Sequence, residues 1–201
     1  MSAQAAPPYP LTFTVDYPDR ELNRVTTGFR LILAIPLILL LALFAQGHPA
    51  SAGLLLFLPV LALLVLRHKY PRWWFDFNLQ ITRLEARIYS YIFLLRDEYP
   101  SADEEQAVHV DIVQPDAENE LNRWLPLVKW LLALPHYIVL AFLYIAVIVV
   151  VIIAWFAILF TGRYPQGMFD FVVGVVRWSL RVTAYAFLLV TDRYPPFSLA
   201  P

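Results

Sequence analysis

Four arginines are placed where arginine could do chemistry. Arg83 and Arg87 are four residues apart, as are Arg177 and Arg181, so each pair projects from one side of a helix, one turn apart. Guanidinium groups bind phosphate bidentately, so beside a membrane these four read as a site for an anionic lipid headgroup. A plainer reading is solvated or headgroup-contacting charge, or internal pairing to Asp76 and Asp170; a transport pathway is the third. Six of the eleven tyrosines precede proline: Tyr9, Tyr17, Tyr70, Tyr99, Tyr164 and Tyr194. Proline drives the residue before it out of the helical conformation, and tyrosine rests at the membrane–water boundary. Tyr-Pro therefore reads as a rigid helix stop at headgroup depth. Tyr70, Tyr99, Tyr164 and Tyr194, with Trp73, Trp74 and Trp178, are the expected interface anchors.

The remaining candidates offer less. His48, His68, His109 and His136 are scattered, and no two have a metal-ligand spacing such as H-x-x-x-H. His136, beside Pro135, reads as a buried hydrogen-bonding group or an interfacial one. His109 and Asp111 share a face of an expected strand, but two ligands do not make a metal site. The chain has no cysteine, which excludes disulfides, thiol catalysis and thiolate metal sites. It carries no dinucleotide-binding, Walker, G-x-S-x-G or zinc-protease motif. No catalytic residue, metal or cofactor is expected, and the chain reads as a protein that is not an enzyme.

Composition sets the stage for these residues. Of 201 residues, 60% are hydrophobic and 15% charged, against roughly 45–50% and about 25% in an average soluble domain. That excludes disorder for the bulk and points to an integral membrane protein. Fifteen basic and sixteen acidic residues leave no balance suited to nucleic acid. Two stretches lack Asp, Glu, Lys and Arg: residues 31–66 (36 positions) and 130–162 (33 positions). As single helices they would run about 54 and 50 Å across a hydrocarbon core of ~30 Å. Each is therefore expected to fold back as a transmembrane or re-entrant hairpin. In the first, Gln46–Gly53 gathers the polar, Gly and Pro residues of a turn. The second shows no turn, and its alternative is a break at Pro135, an interfacial helix before it and one span after it. Arg20, Arg24 and Arg30 precede the first stretch and Arg67, Lys69 and Arg72 follow it. Arg123 and Lys129 precede the second and Arg163 follows it. Hairpins would put all of these on the cytoplasmic side. No cleavable signal peptide is visible in Met1–Pro10.

The two halves of the chain resemble each other. Val15-Asp16 through Arg24 matches Val110-Asp111 through Arg123 with a four-residue insertion, and Leu33–Pro36 matches Leu132–Pro135. Lys69-Tyr70-Pro71 matches Arg163-Tyr164-Pro165; Phe75-Asp76-Phe77 matches Phe169-Asp170-Phe171. Arg83, Arg87 and Tyr91 match Arg177, Arg181 and Tyr185; Asp97-Glu98-Tyr99-Pro100 matches Asp192-Arg193-Tyr194-Pro195. This predicts two tandem repeats about an internal pseudo-twofold. The expected divisions are a flexible terminus at 1–8, repeat one at 9–100, an acidic linker at 101–107 and repeat two at 108–201.

The same residues resemble a family, the bacterial membrane proteins grouped as domain of unknown function four-three-eight-nine. The resemblance rests on Arg30 with Leu33–Pro36, Gly162–Pro165, Arg177-Trp178 with Arg181 and Ala184-Tyr185, and Thr191–Phe197. It is close in the second half. The first departs from it, with His68-Lys69-Tyr70-Pro71 at the exit and Arg96–Pro100 at the end. It implies membrane residence and no activity.

Phe75–Leu95 repeats apolar residues at helical spacing, with Asp76, Gln80, Arg83, Arg87 and Ser90 on another face. An amphipathic helix lying in the interface is expected there, and Met168–Val190 is expected to match it. Leu11–Asp16 and Val108–Val113 alternate with period two and are expected to pair as a short cytoplasmic ribbon. The whole reads as an all-α integral membrane protein of the bacterial inner membrane, multi-pass, with both termini cytoplasmic. Its expected partners are membrane lipids and either further copies of itself or a larger membrane complex. The expected role is a non-catalytic accessory or scaffold; the alternatives are an anionic-lipid-binding or lipid-moving protein, or an oligomeric channel or transporter.

Overall fold

The computed structural model describes residues 9–44 and 53–201. Alternation builds two strands, Leu11–Val15 (β1) and Val108–Ile112 (β2), which bury every second side chain. They pair antiparallel, Phe13 opposite Val110 at the centre, Leu11 opposite Ile112 and Val15 opposite Val108. A lone two-stranded ribbon is marginal in water. Here each strand rests on a helix from the other half of the chain: β1 on α8 (Gln166–Ala186) and β2 on α4 (Arg72–Ile92).

The helices follow local signals. Asn23 accepts from the amides of Val25 and Thr26 and starts α1 (Arg24–Gly28), which leads into α2 (Arg30–Phe44). The turn expected at Gln46–Gly53 lies, apart from Gly53, outside the described residues. The chain resumes as α3 (Gly53–Ala62), continues through a π-helical turn at Leu63–Arg67 and stops at His68, whose φ is +53°. Pro71 then starts α4. Ile88 and Tyr91 of α4 pack on Ala34 and Leu37 of α2. The inner side of α4 also carries Asn78, Thr82 and Glu85, while Phe77 is exposed. Two partners explain this departure from the simple apolar face: α2 and β2 grip α4 from different sides.

In the second half Asp116 caps the short α5 (Ala117–Glu120), followed by α6 (Pro126–Leu132) and α7 (Leu134–Thr161). Residues 134–161 form one unbroken helix, so the second charge-free stretch does not fold back as a hairpin. The break falls at Ala133, between α6 and α7. Pro135 sits in the first turn of α7, where its missing N–H leaves no helical bond unmade. From Ile138 to Phe160 no residue supplies a turn.

α8 also departs from expectation. It does not present a free polar face at a boundary; the protein itself buries it almost entirely. Its sequence explains why. Val172, Val175, Val176, Val182 and Ala184 point apolar surface in several directions, and β1, α6 and α7 all pack against it. The opposite holds for α7, whose Ile138, Phe142, Ile145, Ile152, Phe156 and Phe160 face outward. Among the described residues α7 is the one helix long and apolar enough to cross a membrane.

Candidate functional site

The helical arginines are spent on the chain's own backbone. Arg83 Nε donates to the Val110 carbonyl at 3.0 Å, and Arg177 Nε donates to the Phe13 carbonyl at 2.9 Å. Val110 and Phe13 are the central partners of the ribbon, so each arginine clamps the strand that rests on its helix. Arg83 also pairs with Asp111 at 2.9 Å, and Arg87 Nη1 donates to the Ser101 carbonyl at 2.5 Å. Arg177 and Arg181 donate to the carbonyls of Leu199 and Ala200 and are only 8% and 4% exposed. Burial lowers the pKa of both from the ordinary arginine value, and the neighbouring charge of Arg181 lowers that of Arg177 further.

The expected interface anchors divide into two groups. Trp73, Tyr99 and Tyr194 are exposed. Tyr70, Tyr164 and Trp178 are buried inside the protein, and Trp74 is half-buried. Tyr70 donates to the Leu188 carbonyl at 3.0 Å, Tyr17 to the Tyr164 carbonyl, and Trp178 Nε1 to His136 Nδ1 at 3.1 Å. His136 also stacks on Phe197, their centroids 4.0 Å apart.

The other described histidines are engaged separately. His68 Nε2 meets the Leu121 carbonyl at 2.7 Å, and His109 meets Asp16 at 3.2 Å while Asp111 goes to Arg83. His48 lies outside the described residues. Among the described residues no three His, Cys, Asp or Glu side chains are grouped to hold a metal.

Two buried cations were missed by sequence reasoning. Arg30, 2% exposed, pairs with Asp97, donates from Nη1 to the Arg96 carbonyl at 2.9 Å and lies 4.2 Å above the Tyr91 ring. Lys129, 0% exposed, pairs with Asp192 at 2.7 Å, donates to the Thr191 carbonyl at 2.8 Å and lies 5.3 Å from the Tyr185 ring. In each case the carboxylate's second oxygen accepts an amide: Asn23 N at 2.6 Å for Asp97, Asn122 N at 2.5 Å for Asp192. Each asparagine side chain in turn accepts two backbone amides: Asn23 caps α1 through Val25 and Thr26, and Asn122 holds Trp124 and Leu125 just ahead of α6. The knot thus ties the entry of a helix to the end of its own half. Burial lowers the Lys129 pKa, and Asp192 opposes the fall. The signal was present in the sequence: a cation three residues before Leu-Ala-x-Pro, and an aspartate two before Tyr-Pro.

Besides an opening of about 230 Å³ among Pro18, Arg20, Arg96 and Asp97, two more border this framework. One, about 290 Å³, lies among the entry loop at Tyr17–Leu22, Arg163 and Tyr164. The other, about 440 Å³, lies beside Arg83 and Arg87, under the 102–106 linker.

Residues 124–198 match the family described as Domain of unknown function (DUF4389). The match takes in α6, α7, α8 and the Lys129–Asp192 knot, and it leaves out both strands. No curated protein and no solved structure matches the chain.

Proposed function

We propose that the chain is an integral membrane protein of two tandem repeats that acts, without catalysis, as a scaffold or accessory subunit of a bacterial inner-membrane assembly. The observation that carries this is the outward surface of α7, apolar along its length and left uncovered among the described residues. An exposed apolar area of that extent belongs against lipid or a partner. At ~1.5 Å per residue α7 is about 42 Å long, roughly 12 Å more than the hydrocarbon core, so it crosses tilted or with its ends in the headgroups. α2 and α3 join it as shorter apolar elements. Basic residues precede and follow α7, Lys129 on one side and Arg163 on the other, so their placement does not orient the chain.

The repeat reading is supported by contacts that recur in pairs. Beyond the two cation knots, Leu22 N donates to the Gly162 carbonyl, while His68, in the position matching Gly162, meets the carbonyl of Leu121, which matches Leu22. Leu94 and Leu189 both take positive φ, three residues before Asp97 and Asp192. Aligned through the ribbon's central pair, Leu22 follows Phe13 by 9 residues and Leu121 follows Val110 by 11, so the insertion is two residues rather than four. A non-catalytic role is supported by the spending of buried charge: Arg30, Lys129, Arg177 and Arg181 all hold backbone carbonyls.

The test is extraction of the native protein in mild detergent, followed by sizing and mass spectrometry that preserves bound subunits. A stoichiometric foreign subunit or a defined homo-oligomer is expected. A bare monomer overturns the reading.

A further inference from the structure

In the second half, the strip of α8 bearing Gly174, Arg177 and Arg181 is covered by the C-terminal segment of the chain. Arg177 and Arg181 donate to the carbonyls of Leu199 and Ala200, both at 2.9 Å. Leu199 lies so close that a Cβ on Gly174 would stand 2.9 Å from the Leu199 Cβ. The matching strip of α4 carries Gln80, Arg83 and Arg87, and there, beyond the Ser101 carbonyl that Arg87 holds, lies open space. It forms the cavity of about 440 Å³, bounded by residues 108–111 of β2 and by the 102–106 linker. That size falls within the ~300–1,000 Å³ of ligand sites. Arg87 Nε, at its edge, is buried without a hydrogen-bond acceptor among the described residues. The rim is acidic, with Asp103, Glu104, Glu105 and Asp111.

We propose that this cavity is a docking slot for an extended segment of a partner polypeptide that carries lysine or arginine. The precedent is within the molecule: one arginine strip already holds an extended peptide by its carbonyls. In the slot, peptide carbonyls accept from the donors that Arg83 and Arg87 do not already give to Val110, Asp111 and Ser101, Arg87 Nε among them, and the basic side chain meets Asp103, Glu104 and Glu105. Gln80 stands where Gly174 allows the tail its close approach, so the occupant rides further from the helix than Leu199 does. The tail of this chain is already seated on α8 and is not the occupant. The inference rests on the accessory-subunit reading and names the kind of segment that subunit must offer.

The experiment uses the full chain in detergent and two fluorescent probes, the peptide Ser-Leu-Ala-Lys-Ser-Leu-Ala-Lys and its counterpart with both lysines replaced by glutamate. The lysine peptide is expected to bind roughly tenfold or more tighter than the glutamate one, with an affinity that falls as salt rises. Gln80→Trp, at an exposed position, fills the slot and abolishes binding. The double change Glu104→Lys/Glu105→Lys, also exposed, weakens binding about tenfold while leaving thermal unfolding where it was. Equal binding of the two peptides, no binding of either, or binding indifferent to Gln80→Trp overturns the proposal. So does a phospholipid that co-purifies with the wild type and is lost on Gln80→Trp, which would make the cavity a lipid site. In native membranes, a foreign subunit retained equally by wild type and Gln80→Trp overturns the slot and leaves the accessory reading standing. No subunit or defined oligomer with either protein removes that reading itself.

Discussion

Arg30 and Lys129 hold matching posts in the two halves and do so with different chemistry. Arg30 divides its donors between Asp97 and the Arg96 carbonyl and lays its guanidinium plane on Tyr91. Lys129 brings a compact ammonium to Asp192 and the Thr191 carbonyl and stands further from its tyrosine. A guanidinium and an ammonium are not interchangeable where stacking matters. What does not vary is the carboxylate and the asparagine amide it accepts. The post is thus defined by the aspartate, and the cation answers to it. The long helices also contrast: the arginine strip of α4 holds one linker carbonyl, at Ser101, and borders a cavity, whereas that of α8 is closed by the tail. The second half supplies the packed interior and the first keeps a usable surface.

This comparison is most easily broken at the aspartates. Asp192→Ala leaves Lys129 buried without its counter-charge and is expected to cost about 3–5 kcal/mol, as is Asp97→Ala for Arg30. Thermal or denaturant unfolding in detergent reads this. Losses below about 1 kcal/mol, the size of an exposed ion pair, would mean that the knots do not fasten each helix entry to the end of its own half. Next in size is the tail. Gly174→Leu forces Leu199 off α8 and is expected to cost about 1–3 kcal/mol, whereas Gln80→Leu on the open strip stays within about 0.5 kcal/mol. Equal effects at the two positions would erase the difference between the helices. The smallest change concerns the helix stops. Gly162, at φ +75°, is expected to lose about 1–2 kcal/mol on change to alanine. His68→Gly, at φ +53°, is expected to be near neutral, because relief of the left-handed backbone is offset by loss of the bond to Leu121. A clear gain in melting temperature would show that the His68 bond contributes little.

Much of the fold was legible because period and punctuation are local. The alternation at Leu11–Val15 and Val108–Ile112 marked two strands that do pair. The Tyr-Pro steps at Pro71 and Pro165 marked the starts of α4 and α8. What stayed hidden depends on partners distant in sequence. The burial of α8 follows from β1 and from a tail that lies beyond the helix itself. The arginine spacing suggested phosphate, since the sequence does not tell whether a carbonyl from elsewhere takes the donors first. Lys129 and Arg30 looked like flanking charges of apolar stretches, because their aspartates are 63 and 67 residues away (192 − 129 and 97 − 30). The length argument for a hairpin assumed that all of 130–162 was one helix, and the break at Ala133 removes that premise.

The exchanged strands impose an order on biosynthesis. β1 leaves the ribosome some 150 residues before its seat on α8, and Arg177 reaches the carbonyl of Phe13 across 164 positions. At roughly 5–20 residues per second, β1 waits on the order of 10–30 s for that helix, although β2, its partner for the backbone edge, is made sooner. During that interval β2 and then α7 are made, so the ribbon has its second strand before it has its seat on α8. The seating of β1 on α8 is then a late event of folding, and a product stalled before β2 is left with an unpaired strand edge available to any neighbour.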